Sequence, residues 1–129
     1  MSEKINWTFN VQVVGGPKIS TAQSVTVDAY DKIQVTIAVG AADEVVDVQP
    51  GSAGRVQFLL ISSDQFGDDL TYKVNNTGNP IILDVQQLLI GDGAVGLLGT
   101  SPPKTLGFTN NLTQDANIEI LVGRNVTAP

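Results

Sequence analysis

Apolar and polar residues alternate along most of this chain, and that two-residue period is typical of half-buried β-strands. The clearest alternation runs from Ile5 to Val13 and ends at the turn sequence Gly15-Gly16-Pro17. The period returns at 24–28 and at 33–39, where it predicts either a hairpin or one long bent strand. The same reasoning predicts further strands at 44–48, 70–74, 106–109 and 117–122.

One stretch departs from the alternation. Between Val56 and Ile61 the only polar residue is Gln57, and turn-forming sequences stand on both sides, PGSAG before and SSDQFGDD after. A short apolar run between turn signals predicts a strand buried on both faces. We therefore expect the domain to be organised around this strand.

Trp7 and Phe9 lie on the same face of the first predicted strand as Ile5. An aromatic residue that shares a face with apolar neighbours is more typical of a core than of a sugar-stacking platform. The pattern therefore predicts that both aromatic side chains are core residues.

One segment has an ambiguous pattern. Residues 75–80 are all turn formers and predict a loop. Further on, Asp84 and Gln87 have the spacing of a capping box, and Gly91 follows them at the position of a helix end. Residues 85–90 are thus predicted either as a short helix or as a strand.

Eight or nine short strands separated by turn residues predict an all-β fold, an antiparallel β-sandwich or a jelly-roll-like arrangement. The short helix near 85–90 is the one helical alternative. With 129 residues, the chain has the length of one domain, 1–129, with a flexible C-terminal tail from about 124 to 129.

Cysteine and histidine are both missing from the chain. Without them neither a Ser-His nor a Cys-His site can be built, and the commonest transition-metal ligands are lacking. The acidic groups around Asp43 and Asp64 lack the spacing of a calcium loop and are typical of solvated turns. We expect no enzyme activity, no catalytic residues, no cofactor and no metal.

The formal net charge is −6, and the seven basic residues occur singly along the chain. Such a chain is not expected to bind nucleic acid or an anionic membrane. The N-terminal sequence MSEKINWTF lacks the apolar region of a signal peptide, so synthesis in a cytoplasm is expected.

Five residues are candidates for contact with a partner. Phe66 is a large apolar residue in a polar turn. Val95, Leu97 and Leu98 lie among glycines in GDGAVGLLG, a segment too flexible to be stable unless it packs against the core or a neighbouring subunit. Arg124 begins the predicted tail. If a subunit covers these residues, the chain is a homo-oligomer, a trimer first and a dimer second.

In the segments PIILDVQQLLIGDG (80–93) and TLGFTNNLTQDANIEILVGRN (105–125), in its Asn/Thr-rich turns and in the lack of Cys and His, the chain resembles the small all-β head decoration or cement proteins of tailed bacteriophages. The resemblance implies a non-enzymatic virion structural protein on the capsid surface. It would stabilise the shell by binding the major capsid protein or another virion protein, often as a symmetric oligomer.

Other classes fit the same residues. A phage tail or neck component would have a similar sequence. A carbohydrate-binding or adhesion β-sandwich module is a further alternative, which would need exposed aromatic residues or a calcium site. An accessory domain of a bacterial shell or scaffold is a third.

Overall fold

The structure is a computed structural model, and it describes residues 2–50, 54–99 and 101–125. Over these residues the chain forms ten strands, one short α-helix and one 3₁₀ turn. In chain order the elements are β1 (Glu3–Gln12), β2 (Lys18–Val27), β3 (Ala29–Ile37), β4 (Glu44–Asp47), β5 (Arg55–Ser63), β6 (Leu70–Val74), β7 (Thr77–Ile82), β8 (Gln87–Ile90), α1 (Asp92–Val95), the 3₁₀ turn (Gly96–Leu98), β9 (Thr105–Asn110) and β10 (Ala116–Asn125).

Eight of the strands found in the described residues form two four-stranded antiparallel sheets, with the orders β3-β10-β5-β8 and β4-β9-β6-β7. We call these two sheets, with residues 92–98, the body. Inward side chains of both sheets belong to one hydrophobic cluster. The all-β sandwich prediction is therefore confirmed. The strand predicted to be central, β5, lies inside its sheet between β10 and β8.

The core depends on the two-residue period of β10. Ile118, Ile120 and Val122 point inward and are buried, whereas Glu119 is exposed. From the opposite sheet, Tyr72 and Phe108 pack into the same cluster with their rings 5.8 Å apart. The Tyr72 hydroxyl donates a hydrogen bond to Gln87 Oε1 at 2.6 Å, and burial raises the pKa of Tyr72 to about 12. A buried hydroxyl is tolerated here because it has this partner.

The remaining two strands, β1 and β2, form a separate hairpin of ten paired positions, from Glu3 opposite Val27 to Gln12 opposite Lys18. We call this hairpin, residues 3–27, the arm. Only Asp28 separates β2 from β3, and the backbone bends there. Of the two alternatives at 24–39, the hairpin is wrong, because β2 and β3 follow each other across a bend and belong to different sheets.

Of the two alternatives predicted for 85–90, the structure has the strand and not the helix. Residues 87–90 form β8, an edge strand paired with β5, and the helical segment lies at 92–98. Gln87 does not close a capping box, because its amide donates to the Ile82 carbonyl and its Oε1 accepts from Tyr72. Gly91, with φ of 90°, turns the chain from β8 into α1.

The loop predicted at 75–80 is shorter than expected. Asn75 and Asn76, with φ of 55° and 56°, make a two-residue turn of the kind that joins antiparallel strands. The chain then continues as β7 through Pro80, which is tolerated because β7 lies at the edge of its sheet. At the C-terminus, Arg124 and Asn125 belong to β10 and not to a tail, while 126–129 lie outside the described residues.

Candidate binding surfaces

The two faces of the arm differ completely in chemistry. One face carries Ile5, Trp7, Phe9 and Val11, and Val11 lies directly opposite Ile19. The other face is polar except for Ala22, and a hydrogen bond of 2.9 Å from Ser20 to Asn10 crosses it. These faces follow directly from the alternation at 5–13, since neighbouring side chains of a strand point to opposite sides.

The root of the arm, which is residues 3–9 and 21–27, lies on the outer face of the sheet that contains β5. The Trp7 ring is 6.0 Å from the ring of Phe58. Gly123 is next to this contact, and a Cβ there would be 2.6 Å from Ile5 Cδ1 and 3.3 Å from Val27 Cγ1. A glycine at this position lets the arm approach the sheet. Trp7 and Phe9, predicted as core residues, are half-buried and lie on the arm, not between the sheets.

The tip of the arm, residues 10–20, is exposed. Val14 is 99% exposed and Ile19 67%, and Val11 and Val13 are exposed as well. The turn that joins the strands is held by Gly16 N–H to Val13 O at 2.7 Å, and Gly15 has a φ of 75°. The turn is therefore ordered while it presents apolar side chains to solvent, an arrangement typical of interaction surfaces.

Beside the arm root, the outer face of the sheet changes gradually from apolar to polar. Leu121, Leu60 and Leu88 lie directly opposite one another on β10, β5 and β8, and all three are half-buried. We call this row the apolar strip. A cavity of about 320 Å³ lies over Leu60 and Leu121 of this strip, with Lys32 and Glu119 on its rim. The strip is thus an open apolar groove bordered by charges.

Farther from the arm, the same face becomes a polar cleft of about 570 Å³. Gln34 donates to Glu119 at 2.9 Å, and Thr36 donates to Asn117 at 2.7 Å. Asn117 in turn donates to Asp64 from its backbone at 2.8 Å and from its side chain at 2.7 Å. These two bonds lower the pKa of Asp64. The cleft offers amide and carboxylate groups to a polar ligand.

One end of the body is strongly acidic. The loops 64–69 and 111–115 lie together there, with Leu112 against Gly67 and Asn111 N–H bonded to Asp69 O at 2.9 Å. We call these two loops the acidic end. They contain four aspartates and neither lysine nor arginine. Phe66, a predicted partner residue, is 38% exposed among these charges.

The other predicted partner residues lie near the opposite end of β5. Val95 is buried in the core, and Leu98 packs against it, so these two side chains anchor the segment to its own body. Leu97, between them in the chain, is 83% exposed. The structure therefore does not bring Phe66 and Leu97 together, because a nine-residue strand spans about 30 Å between them.

Arg124 is a buried residue and not an exposed contact. Its guanidinium lies 3.4 Å from the Asp31 carboxylate and donates to the Pro50 carbonyl at 3.4 Å. Its backbone carbonyl accepts from Asp28 N–H at 3.0 Å, at the bend between the arm and β3. The residue thus stabilises the junction of arm and body.

A second polar cluster fixes the loop before β9. The Lys104 ammonium donates to both Asp47 carboxylate oxygens at 2.9 Å and also to the Gln49 carbonyl. The bond from Lys104 lowers the pKa of Asp47. Gln49 is fully buried, and its side chain bonds Pro103 O and Gly54 N–H. These contacts hold the loop before β9 in place.

The acidic side chains do not converge on a possible cation. Among residues 2–50, 54–99 and 101–125, no three Asp or Glu side chains are grouped so that they could hold a metal ion. Asp43 instead faces Lys73 at 3.9 Å. Nor does the described part of the chain contain a helix with the length and apolar character needed to cross a membrane.

Comparisons with known proteins give no relative for this chain: no family model, no curated protein and no solved structure matches it.

Proposed function

We propose that this chain is a non-enzymatic structural protein of a tailed-phage virion, which decorates the capsid and stabilises the shell by binding the major capsid protein. It would be made in the host cytoplasm and would act on the outer surface of the virion. In this proposal the acidic end of the body docks against a basic rim on the shell.

The observation that carries the proposal is the acidic end itself. Asp68 and Asp69 are exposed beside Phe66, and no basic residue of the two loops neutralises them. An apolar anchor among uncompensated charges of one sign suits a partner with an apolar pocket and a basic border. Long-range attraction of this kind speeds encounter and weakens as salt rises.

The rigidity of the body also supports a clamping role. The acidic loops are short and held by backbone hydrogen bonds, among them Gly67 N–H to Leu83 O at 3.3 Å. A surface that is already ordered loses little conformational entropy on docking, so more of the contact energy remains as affinity. On a symmetric shell with many copies, modest contacts add up to a large effect.

Binding to shells tests the proposal directly. Bare capsids of the parent phage are mixed with wild-type protein, pelleted, and the bound protein is quantified at rising salt. We expect saturable binding that weakens as salt increases. Phe66→Ser should weaken binding at least tenfold, whereas Leu97→Ser, an equally drastic change at the other end of β5, should bind as the wild type does.

Two results would contradict the proposal. If wild-type protein does not pellet with capsids at low salt, the decoration role is wrong. If Leu97→Ser abolishes binding and Phe66→Ser does not, the acidic end is not the docking surface.

A specific observation favours one second candidate, a carbohydrate-binding or adhesion module. The polar cleft presents Gln34, Thr36 and Glu119 along an exposed sheet face, and hydroxyl-rich ligands are bound by such amide and carboxylate groups. A glycan array distinguishes the two: saturable binding of a sugar by the wild type, lost in Gln34→Ala, supports the module. A tail or neck component is distinguished by pelleting with tails instead of capsids.

A further inference from the structure

The arm has more apolar surface than its own body covers. Its root is packed on Phe58, whereas Val11, Val13 and Ile19 at the tip are exposed. A two-stranded hairpin is at best marginally stable in water by itself, and three strands or a covering surface are normally needed. An ordered ten-pair hairpin with an uncovered apolar half therefore indicates a partner for that half.

The body has an uncovered apolar surface of matching kind. Two leucines of the apolar strip, Leu60 and Leu121, line an open groove of about 320 Å³ beside the arm root. The groove can receive two or three aliphatic side chains, such as those of the arm tip. The same chain thus carries both an exposed apolar arm tip and an apolar groove that can receive it.

Charge favours contact between an arm and a second body. The arm carries Glu3, Lys4 and Lys18, a net charge of +1, which leaves −7 for the rest of a chain whose total is −6. Each basic residue of the body forms an ion pair, while Lys4 and Lys18 form none with any described residue. An arm of net charge +1 is therefore attracted to a second body of net charge −7.

The surface area is of the right size for such a contact. The chain exposes 7367 Å². A compact monomer of 13.6 kDa is expected to expose about 6,600 Å². The excess is about 800 Å², which is what one partner contributes to a standard protein–protein interface. A projecting arm produces an excess of this kind.

We propose that the arm tip of one copy packs on the apolar strip of a second copy of this chain, so that exchanged arms hold the protein together as a homo-oligomer. Val11, Val13 and Ile19 fill the groove over Leu60 and Leu121. If two copies exchange arms reciprocally the product is a dimer. If each arm passes to the next copy around a ring, a trimer or a larger ring results. This interface does not require a capsid.

Cross-linking tests the placement of the arm. Because the chain has no cysteine, each introduced thiol is unique. Ile19→Cys and Leu121→Cys are prepared as two separate proteins, mixed to allow exchange, and oxidised. We expect a disulfide-linked pair that contains one chain of each. Gln12→Cys, on the polar face of the arm, is the matched control and should not link to Leu121→Cys. If Ile19→Cys links no better than the control, the proposal is wrong.

The mass of the protein in solution tests whether the apolar side chains of the arm tip stabilise the oligomer. Sedimentation should give wild-type protein a multiple of 13.6 kDa at micromolar concentration. Val11→Thr with Ile19→Thr keeps β-branched side chains on the arm but makes its apolar face more polar. The double variant should dissociate at least tenfold more readily, with an unchanged far-ultraviolet circular dichroism spectrum. Asn6→Thr with Gln12→Thr, on the polar face, should assemble like the wild type.

A wild-type protein with the mass of a single chain at these concentrations would overturn the inference. So would a double variant that is folded and assembles normally. Both measurements are made without capsids, so their failure leaves capsid docking through the acidic end intact. Conversely, a protein that forms oligomers through its arms but does not pellet with capsids would contradict only the proposed function.

Discussion

The arm strand β1 and the core strand β10 are both ten residues long, and apolar residues recur at every second position for most of their length. Their environments are nevertheless very different. Within the described residues, β10 has a hydrogen-bonded neighbour on each side, β3 and β5, and the second sheet covers its apolar face. Among the same described residues, β1 is paired only with β2, and its apolar face is covered only near Ile5 and Trp7.

The comparison teaches that alternation specifies an amphipathic strand but not what covers its apolar face. For Ile120 the cover is the rest of the same core. For Val11 it is solvent, or in our proposal a second copy. The energetic consequences of equivalent substitutions should therefore differ between the two strands.

The largest expected difference is between truncations in the two strands. Ile120→Ala removes a fully buried side chain and should lower the free energy of unfolding by about 2–5 kcal/mol. Val11→Ala, at low protein concentration, should change it by less than about 0.5 kcal/mol. Urea denaturation of both variants measures this. Equal losses would mean that the arm is part of the core.

Trp7→Ala should have an intermediate effect. A fully buried tryptophan costs about 3–5 kcal/mol to truncate, and a half-buried one on the arm root about 2 kcal/mol. The loss of its contact with Phe58 should release the arm, so that amide exchange in β1 becomes faster while β10 keeps its protection. A variant in which β10 loses protection to the same degree would show that arm and body unfold as one unit.

Gly123→Ala should lower the free energy of unfolding by about 1 kcal/mol, because the added methyl group would lie 2.6 Å from Ile5 Cδ1. The clashing atom ends a flexible side chain, which keeps the cost low. Ile5→Val removes that atom. In an Ile5→Val background, Gly123→Ala should therefore lower the free energy of unfolding by less. The sole tryptophan, Trp7, reports the displacement of the arm root as a red shift of its emission. Additive free energies in the double variant would mean that the arm does not approach the sheet at Gly123.

The smallest expected effect is on the stability of the fold at acid pH. The bond from Lys104 lowers the pKa of Asp47 in the folded chain, so the carboxylate contributes stability above its unfolded pKa of about 3.9. That contribution disappears as the pH falls through the lower, folded pKa. Asp47→Asn should therefore lower the thermal midpoint slightly at pH 7 and should show less of a decline on acidification. An unchanged acid profile would mean that solvent screens the pair completely.

The part of the fold that depends on local alternation could be predicted from the sequence. The buried run of β5 and the inward side chains of β10 follow from the period of the pattern and the turn residues, whereas the pattern at 24–39 left both a hairpin and a bent strand open. The helix position could not be predicted, because the capping-box pattern at Asp84 and Gln87 is overridden by the pairing of β8 with β5. Tertiary pairing of this kind leaves no local signal.

The candidate surfaces were less predictable. Phe66 was recognisable because a large apolar residue stands alone among aspartates. Val95 and Leu98 were not separable from Leu97, since only the three-dimensional fold decides which of three adjacent aliphatic residues faces the core. The exposed arm tip was missed, although Val13 and Val14 precede Gly15-Gly16 directly, where a turn must project. Within the part of the chain that the structure describes, Val11 lacks the covering element that Ile120 has.

The heat resistance of particles with and without this protein tests the central claim most directly. Virions that lack the protein are heated beside complete virions, and release of the genome is followed with temperature. The proposed function predicts a lower release midpoint for the bare particles, which added wild-type protein restores and Phe66→Ser does not. Identical midpoints for bare and complete particles would contradict the claim that this protein stabilises a capsid.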